Sequence, residues 1–175
     1  MYIDYILIFI DYLRTLRKRN AAFEILLPII ISFWIAFIII RKAFIINYAD
    51  VIDKIINVEG VLIGFSITTI TFLTTASNDK ITELKNKPTD KFLSGKNLSL
   101  FDIMIINYTY MLILQIIILI VSLFLPSFIG MLKLEFNTKV ILFTSLMCFV
   151  LHNFLILIRN VSDIYFVLIN FSKKQ

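Results

Sequence analysis

A single cysteine, Cys148, leaves no intramolecular disulfide to form, so nothing in the chain points to an oxidising compartment. One histidine, four glycines and three prolines are too few for a metal cluster or for a glycine-rich cradle around a phosphate. Charge is scarce as well. Only 17% of the 175 residues are charged, against roughly 25% in a soluble domain, and 59% are hydrophobic, against about 45–50%. A chain this short has no core large enough to hide so much apolar surface. These shortages exclude a soluble enzyme, a disordered tail and a disulfide-stapled secreted module. What remains is a membrane protein, with a mean hydropathy of +0.92. Isoleucine dominates, with Lys, Asn, Phe and Tyr heavily used, a bias that AT-rich codons produce and that suggests a bacterial source.

A helix crossing the hydrocarbon layer needs about 20 mostly apolar residues. Four stretches meet that requirement. The first covers 25–46 if Arg41 and Lys42 snorkel to the interface. The others cover 55–76, then 103–125, stopped by Pro126, and 140–158, bounded by Arg159. Apart from Arg41 and Lys42, Glu59 is the only full charge inside these limits. Residues 1–19 differ: the apolar run Tyr5–Ile10 is too short to span, and charge follows it, the reverse of a signal peptide. Asp4, Asp11, Arg14 or Thr15, and Lys18 recur at helical spacing, with Ile3, Ile6, Ile10, Leu13 and Leu16 largely elsewhere. The pattern predicts an amphipathic helix lying in the membrane interface; a helix packed on a partner's loops is the alternative. Beyond Arg159, the tail 159–175 keeps an apolar face (Val161, Ile164, Tyr165, Leu168), so the last helix is expected to continue as an amphipathic extension.

Basic residues orient the spans. The N-terminal segment, the 77–100 connection and the C-terminal end together hold 12 of the 17 lysines and arginines, and the opposite side holds 5. The fold expected is therefore an all-α integral membrane protein: a single domain with four transmembrane helices, an interfacial N-terminal helix and both termini in the cytoplasm. The net charge of +5 is then an orientation signal more than a nucleic-acid footprint. No connection is long enough for a catalytic domain, and no nucleophile–base pair, metal constellation or phosphate motif is evident. Neither enzymatic activity nor a cofactor is expected.

The second span stands apart. Gly60 and Gly64, two of the four glycines, are followed along the same helical line by Thr68, Thr71 and Thr75. Such a line has two physical uses. Small residues let helix backbones approach closely, with threonine hydroxyls bonding to carbonyls. Alternatively the line faces a water-filled path in an oligomer, since four helices from one chain are too few to enclose a pore. Glu59, with Asp50 and Asp53 before it, is expected either at the non-cytoplasmic mouth of that path or paired with Lys54 at interface depth. On the fourth span, His152 and Asn153 are expected to hydrogen-bond between helices. The 77–100 connection carries Lys80, Lys85, Lys87, Lys91 and Lys96 against three acids. It reads as an orientation and anionic-lipid signal, or as a contact for an anionic ligand such as a nucleotide or short oligonucleotide.

The segment Glu59–Ala76, followed by the residues SNDKITEL, resembles the four-span effectors of anti-phage systems that pair a nucleotidyltransferase with a membrane channel, such as the Hailong type. That resemblance implies a homo-oligomeric ion channel of the bacterial inner membrane, gated by a nucleotide-derived signal made by a partner nucleotidyltransferase. Its opening would depolarise the infected cell. A non-conducting membrane anchor or interaction subunit and a holin-like protein are the alternatives.

Overall fold

The computed structural model describes residues 2–16, 18–41, 47–76, 79–93, 95–132 and 134–172. In chain order these form α1 (Tyr2–Thr15), a short α2 (Lys18–Ala21), a π-helical turn (Ala22–Leu26), α3 (Leu27–Ile40), α4 (Tyr48–Thr75), α5 (Asp79–Asn86), strands β1 (Pro88–Leu93) and β2 (Lys96–Ser99), α6 (Leu100–Met131) and α7 (Phe136–Ser172). Four helical stretches are long and apolar enough to cross a membrane: Arg19–Ile40, Tyr48–Thr75, Leu100–Met131 and Phe136–Phe166. The chain is accordingly a multi-pass membrane protein, predominantly helical, with one small antiparallel hairpin.

Several boundaries differ from the sequence expectation, each for a physical reason. The first span begins at Arg19 and not at residue 25, so it includes Glu24. The π turn explains the entry. Pro28 has no N–H for the carbonyl four residues back, that of Glu24, and its ring crowds that oxygen. The helix widens locally, and the Leu27 N–H reaches back five residues to the Ala22 carbonyl. Pro126 does not stop the third span: α6 runs through it to Met131. Proline is tolerated inside membrane helices because neighbouring groups make up for the lost backbone bond. Beyond Arg159 the last helix continues as expected, α7 running to Ser172 as one helix. The extension of the first span through Lys42 to Ile46, and the basic residues Arg17, Lys133, Lys173 and Lys174, lie outside the described residues.

The 77–100 connection is ordered where it is described. Helix α5 buries Ile81 and Leu84, and its Lys85 ammonium lies 4.9 Å from the centre of the Phe101 ring. The hairpin that follows pairs Pro88 with Ser99, Phe92 with Asn97 and Leu93 with Lys96, with a register shift between Pro88 and Phe92. Gly95 turns it with φ 83°, a left-handed backbone that glycine adopts without strain. Ser99 then caps α6 reciprocally. Its Oγ accepts the Asp102 N–H (3.1 Å), and its own N–H donates to Asp102 Oδ2 (2.9 Å). Ser99→Ala should cost about 1 kcal/mol, as cap removals do. Amide hydrogen exchange in the first turn of α6 should speed up accordingly.

The chain divides into two compact units. One comprises Met1–Arg17, Phe65–Ile113 and Ile156–Gln175. There Tyr12 of α1 is fully buried, its ring stacked on Tyr110 at 3.7 Å with 3° between planes, and the Arg159 guanidinium lies 5.5 Å from the Tyr12 ring centre. Asn160 is buried too and donates to the Met111 sulfur at 3.6 Å. Arg159 and Asn160 thus pack against α1 and α6 within this unit. The other unit comprises Lys18–Gly64 and Leu114–Leu155. Its core groups Ile39, Val140 and Phe143 with Ile35, Tyr48, Val51 and Met147, and Tyr48 meets Phe143 edge-on at 5.0 Å.

Candidate functional site

Helix α4 carries the residues singled out for a conducting path, and its sidedness is informative. Ile52, Ile55, Glu59, Ser66 and Leu73 are its buried residues. At 100° per residue all five fall within a narrow sector. Gly60, Gly64, Thr68, Thr71 and Thr75 lie about 150° away, on the opposite side. Each of those five is exposed. A Cβ added at Gly60 or Gly64 would meet nothing within 4 Å, so among the described residues no helix packs closely against the glycines. Close backbone approach within the chain therefore does not account for them. Of the four spans, α4 has the smallest buried share, 17% of its most apolar window against 22%, 28% and 33% for the others.

The hydroxyls along α4 are partly turned inward to its own backbone. Thr69 Oγ1 donates to the Phe65 carbonyl (2.9 Å), Thr74 to Ile70 (2.9 Å) and Thr75 to Thr71 (2.7 Å). A hydroxyl whose proton is committed to a carbonyl presents an acceptor oxygen to whatever lies outside the helix. Of the line itself only Thr75 is among these donors; the line is flanked by exposed Val61, Phe65 and Phe72.

Glu59 takes a different place from the one expected of a pore-mouth residue. It is 0% exposed, and Asn153 Nδ2 of α7 donates to both of its carboxylate oxygens, at 3.1 and 3.0 Å. It neither joins the exposed line nor, among the described residues, pairs with Lys54. An acidic ring made by Glu59 at a pore mouth is therefore withdrawn. Val51, Lys54, Ile55, Val58 and Phe154 line, with Glu59, an apolar open-sided cleft of about 210 Å³ beside this contact. The pair ties α4 to α7 within this unit, with Glu59 on the buried side of α4 and Gly60 and Gly64 on its exposed side.

One residue further back on α7, His152 Nδ1 meets the backbone carbonyl of Glu24. A carbonyl only accepts, so Nδ1 is the donor. This is the carbonyl that Pro28 deprives of its usual helical donor, and His152 takes that role. The expectation that His152 and Asn153 bond between helices agrees with both contacts. Their partners were not legible beforehand. Glu24, 4% exposed and inside the first span, was missed because the span was begun after the last charged residue instead of before it.

The five lysines are dispersed. Lys80 and Lys85 are on α5, Lys87 on the link to the hairpin, Lys91 on β1 and Lys96 on β2. Lys87 and Lys96 are exposed and Lys91 is half-buried. Compared with models of protein families, with curated proteins and with solved structures, the chain matches none.

Proposed function

We propose that the protein is a homo-oligomeric ion channel of a bacterial inner membrane, in which copies of α4 surround the conducting path. The observation that carries this reading is the line Gly60, Gly64, Thr68, Thr71 and Thr75, all five exposed on the side of α4 away from its buried residues. A bilayer does not stabilise such a line as well as it does leucine, whereas water or a second copy of α4 does. The imbalance of 12 basic residues against 5 supports cytoplasmic N- and C-termini. It puts residues 77–100 on the same side. Helix α1 shows Ile6, Leu7, Ile10 and Leu13 outward while burying Tyr12 and Thr15, which suits a helix lying in the interface of that leaflet. The input implied by the family resemblance is a nucleotide-derived signal reaching this cytoplasmic side, with depolarisation as the output. Neither a cofactor nor a catalytic step belongs to this reading.

Induced expression in cells carrying a potential-sensitive dye should collapse the membrane potential, and purified protein in planar bilayers should give discrete conductance steps. An unchanged potential together with silent bilayers would refute the channel. That outcome would favour a non-conducting anchor, for which the ordered 79–99 module is the specific support: α5 and the hairpin form a folded surface able to receive a partner.

A further inference from the structure

The tip of the β1–β2 hairpin exposes a large aromatic side chain that the fold does not use. Phe92 is 66% exposed, next to the Gly95 turn, while its strand neighbours Lys91 and Leu93 face inward and are half-buried. Lysines surround it in sequence and register: Lys91 precedes it, Lys96 sits one pair away across the hairpin, and Lys87 precedes β1. The acidic groups of the module are Asp79, Glu83 and Asp90, so its local balance is positive. A single exposed phenylalanine among lysines is a poor reader of bases, which call for aromatic platforms and arginine. It suits a phospholipid headgroup layer, where an aromatic ring takes the apolar side of the interface and lysines meet anionic groups at roughly 1 kcal/mol each.

Two features hold the hairpin at that depth. Its base is tied to the start of a span: Ser99 caps α6, and the Leu100 N–H donates to the Lys87 carbonyl at 3.1 Å. Phe92 lies four residues from Pro88, which pairs with Ser99, hence within about 13 Å of the base along the strand. Strand β1 also lies against α1, the helix whose outward face is Ile6, Leu7, Ile10 and Leu13. A strand resting on a lipid-facing helix, with its root at the first residue of a membrane span, has a headgroup layer within reach.

We propose that the hairpin tip docks on anionic phospholipid: Phe92 enters the headgroup region of the leaflet in which α6 begins, and the exposed Lys87 and Lys96, at the base and the tip of the hairpin, meet its phosphates. The docking is independent of whether the protein conducts. The test uses the full chain in nanodiscs, with Phe92→Trp in a Trp34→Phe background so that one indole reports the tip. Because Phe92 is exposed, the exchange should leave the fold intact. In nanodiscs containing phosphatidylglycerol, the emission should be blue-shifted, quenched by brominated acyl chains and shielded from iodide. In pure phosphatidylcholine the shift should be smaller, and Lys→Glu at the exposed positions 87 and 96 should abolish the difference between the two lipids. Emission that stays open to iodide in the anionic nanodiscs overturns the proposal. So does emission that responds to an added soluble nucleotide and not to lipid charge, which would make the tip a receptor for a soluble anion.

Discussion

Replacing Thr68 and Thr71 with leucine should abolish ion flux through the reconstituted protein while leaving membrane insertion and thermal stability unchanged. Both positions are exposed on their own chain, so a leucine side chain can extend outward from α4. Surface changes of that kind usually alter stability by less than about 0.5 kcal/mol. Leucine would instead turn the middle of the line into a hydrophobic constriction, which empties of water and closes a narrow path. Gly64→Leu is the companion experiment. A side chain there has open space within the chain, so the fold should tolerate it. A change in oligomer size on cross-linking would then report contact between copies. Unaltered conductance in the double threonine variant would sink the assignment of the path to α4.

Removal of the Asn153 amide should have the largest effect on stability. Asn153→Leu strands the fully buried Glu59 carboxyl, which has no other hydrogen-bond donor among the described residues. Single polar contacts between membrane helices average only about 0.6 kcal/mol and reach about 1.7. A buried acceptor left unsatisfied costs about 1–3 kcal/mol. Two bonds to one fully buried carboxylate put the expected loss near 2 kcal/mol. The double variant Glu59→Leu/Asn153→Leu should recover most of it, because replacing both partners by apolar groups removes the stranded acceptor. Unfolding titrations of the four proteins in mixed micelles would give the coupling energy directly. Additive losses would show that the contact does not act as a unit. The single variant should also lower flux, since α4 would lose this tie to α7.

The spans were legible in the sequence because hydrophobic length is a one-dimensional property: about 20 apolar residues mark a crossing whatever they pack against. Helix ends were less legible, and proline shows why. Pro126 looked like a stop, yet it lies inside α6, because inside a bilayer a broken helix would expose far more unpaired backbone than one missing N–H does. Pro28 was passed over, yet it explains the π turn, and its missing donor is replaced by His152 from a helix more than a hundred residues away. The 79–99 module carries short-range signals of its own structure: Ser99-x-x-Asp102 ahead of an apolar run is a capping signature, and Gly95 between two short runs is a hairpin signal.

Composition and spacing alone determined that this chain is a membrane protein, that it has four stretches long and apolar enough to cross, and that one of them carries a line of glycine and threonine. All of these follow from counting along the chain. Only the tertiary structure decided which way the line faces. Helical periodicity places Gly60, Gly64, Thr68, Thr71 and Thr75 on a common side, but periodicity is silent about rotation relative to the other helices. Long-range contacts carry that information, among them Glu59 with Asn153 across 94 residues of sequence. The same contact turned Glu59 from an expected pore-mouth charge into the buried anchor of the helix, because a carboxylate within a bilayer is held where it finds hydrogen-bond donors.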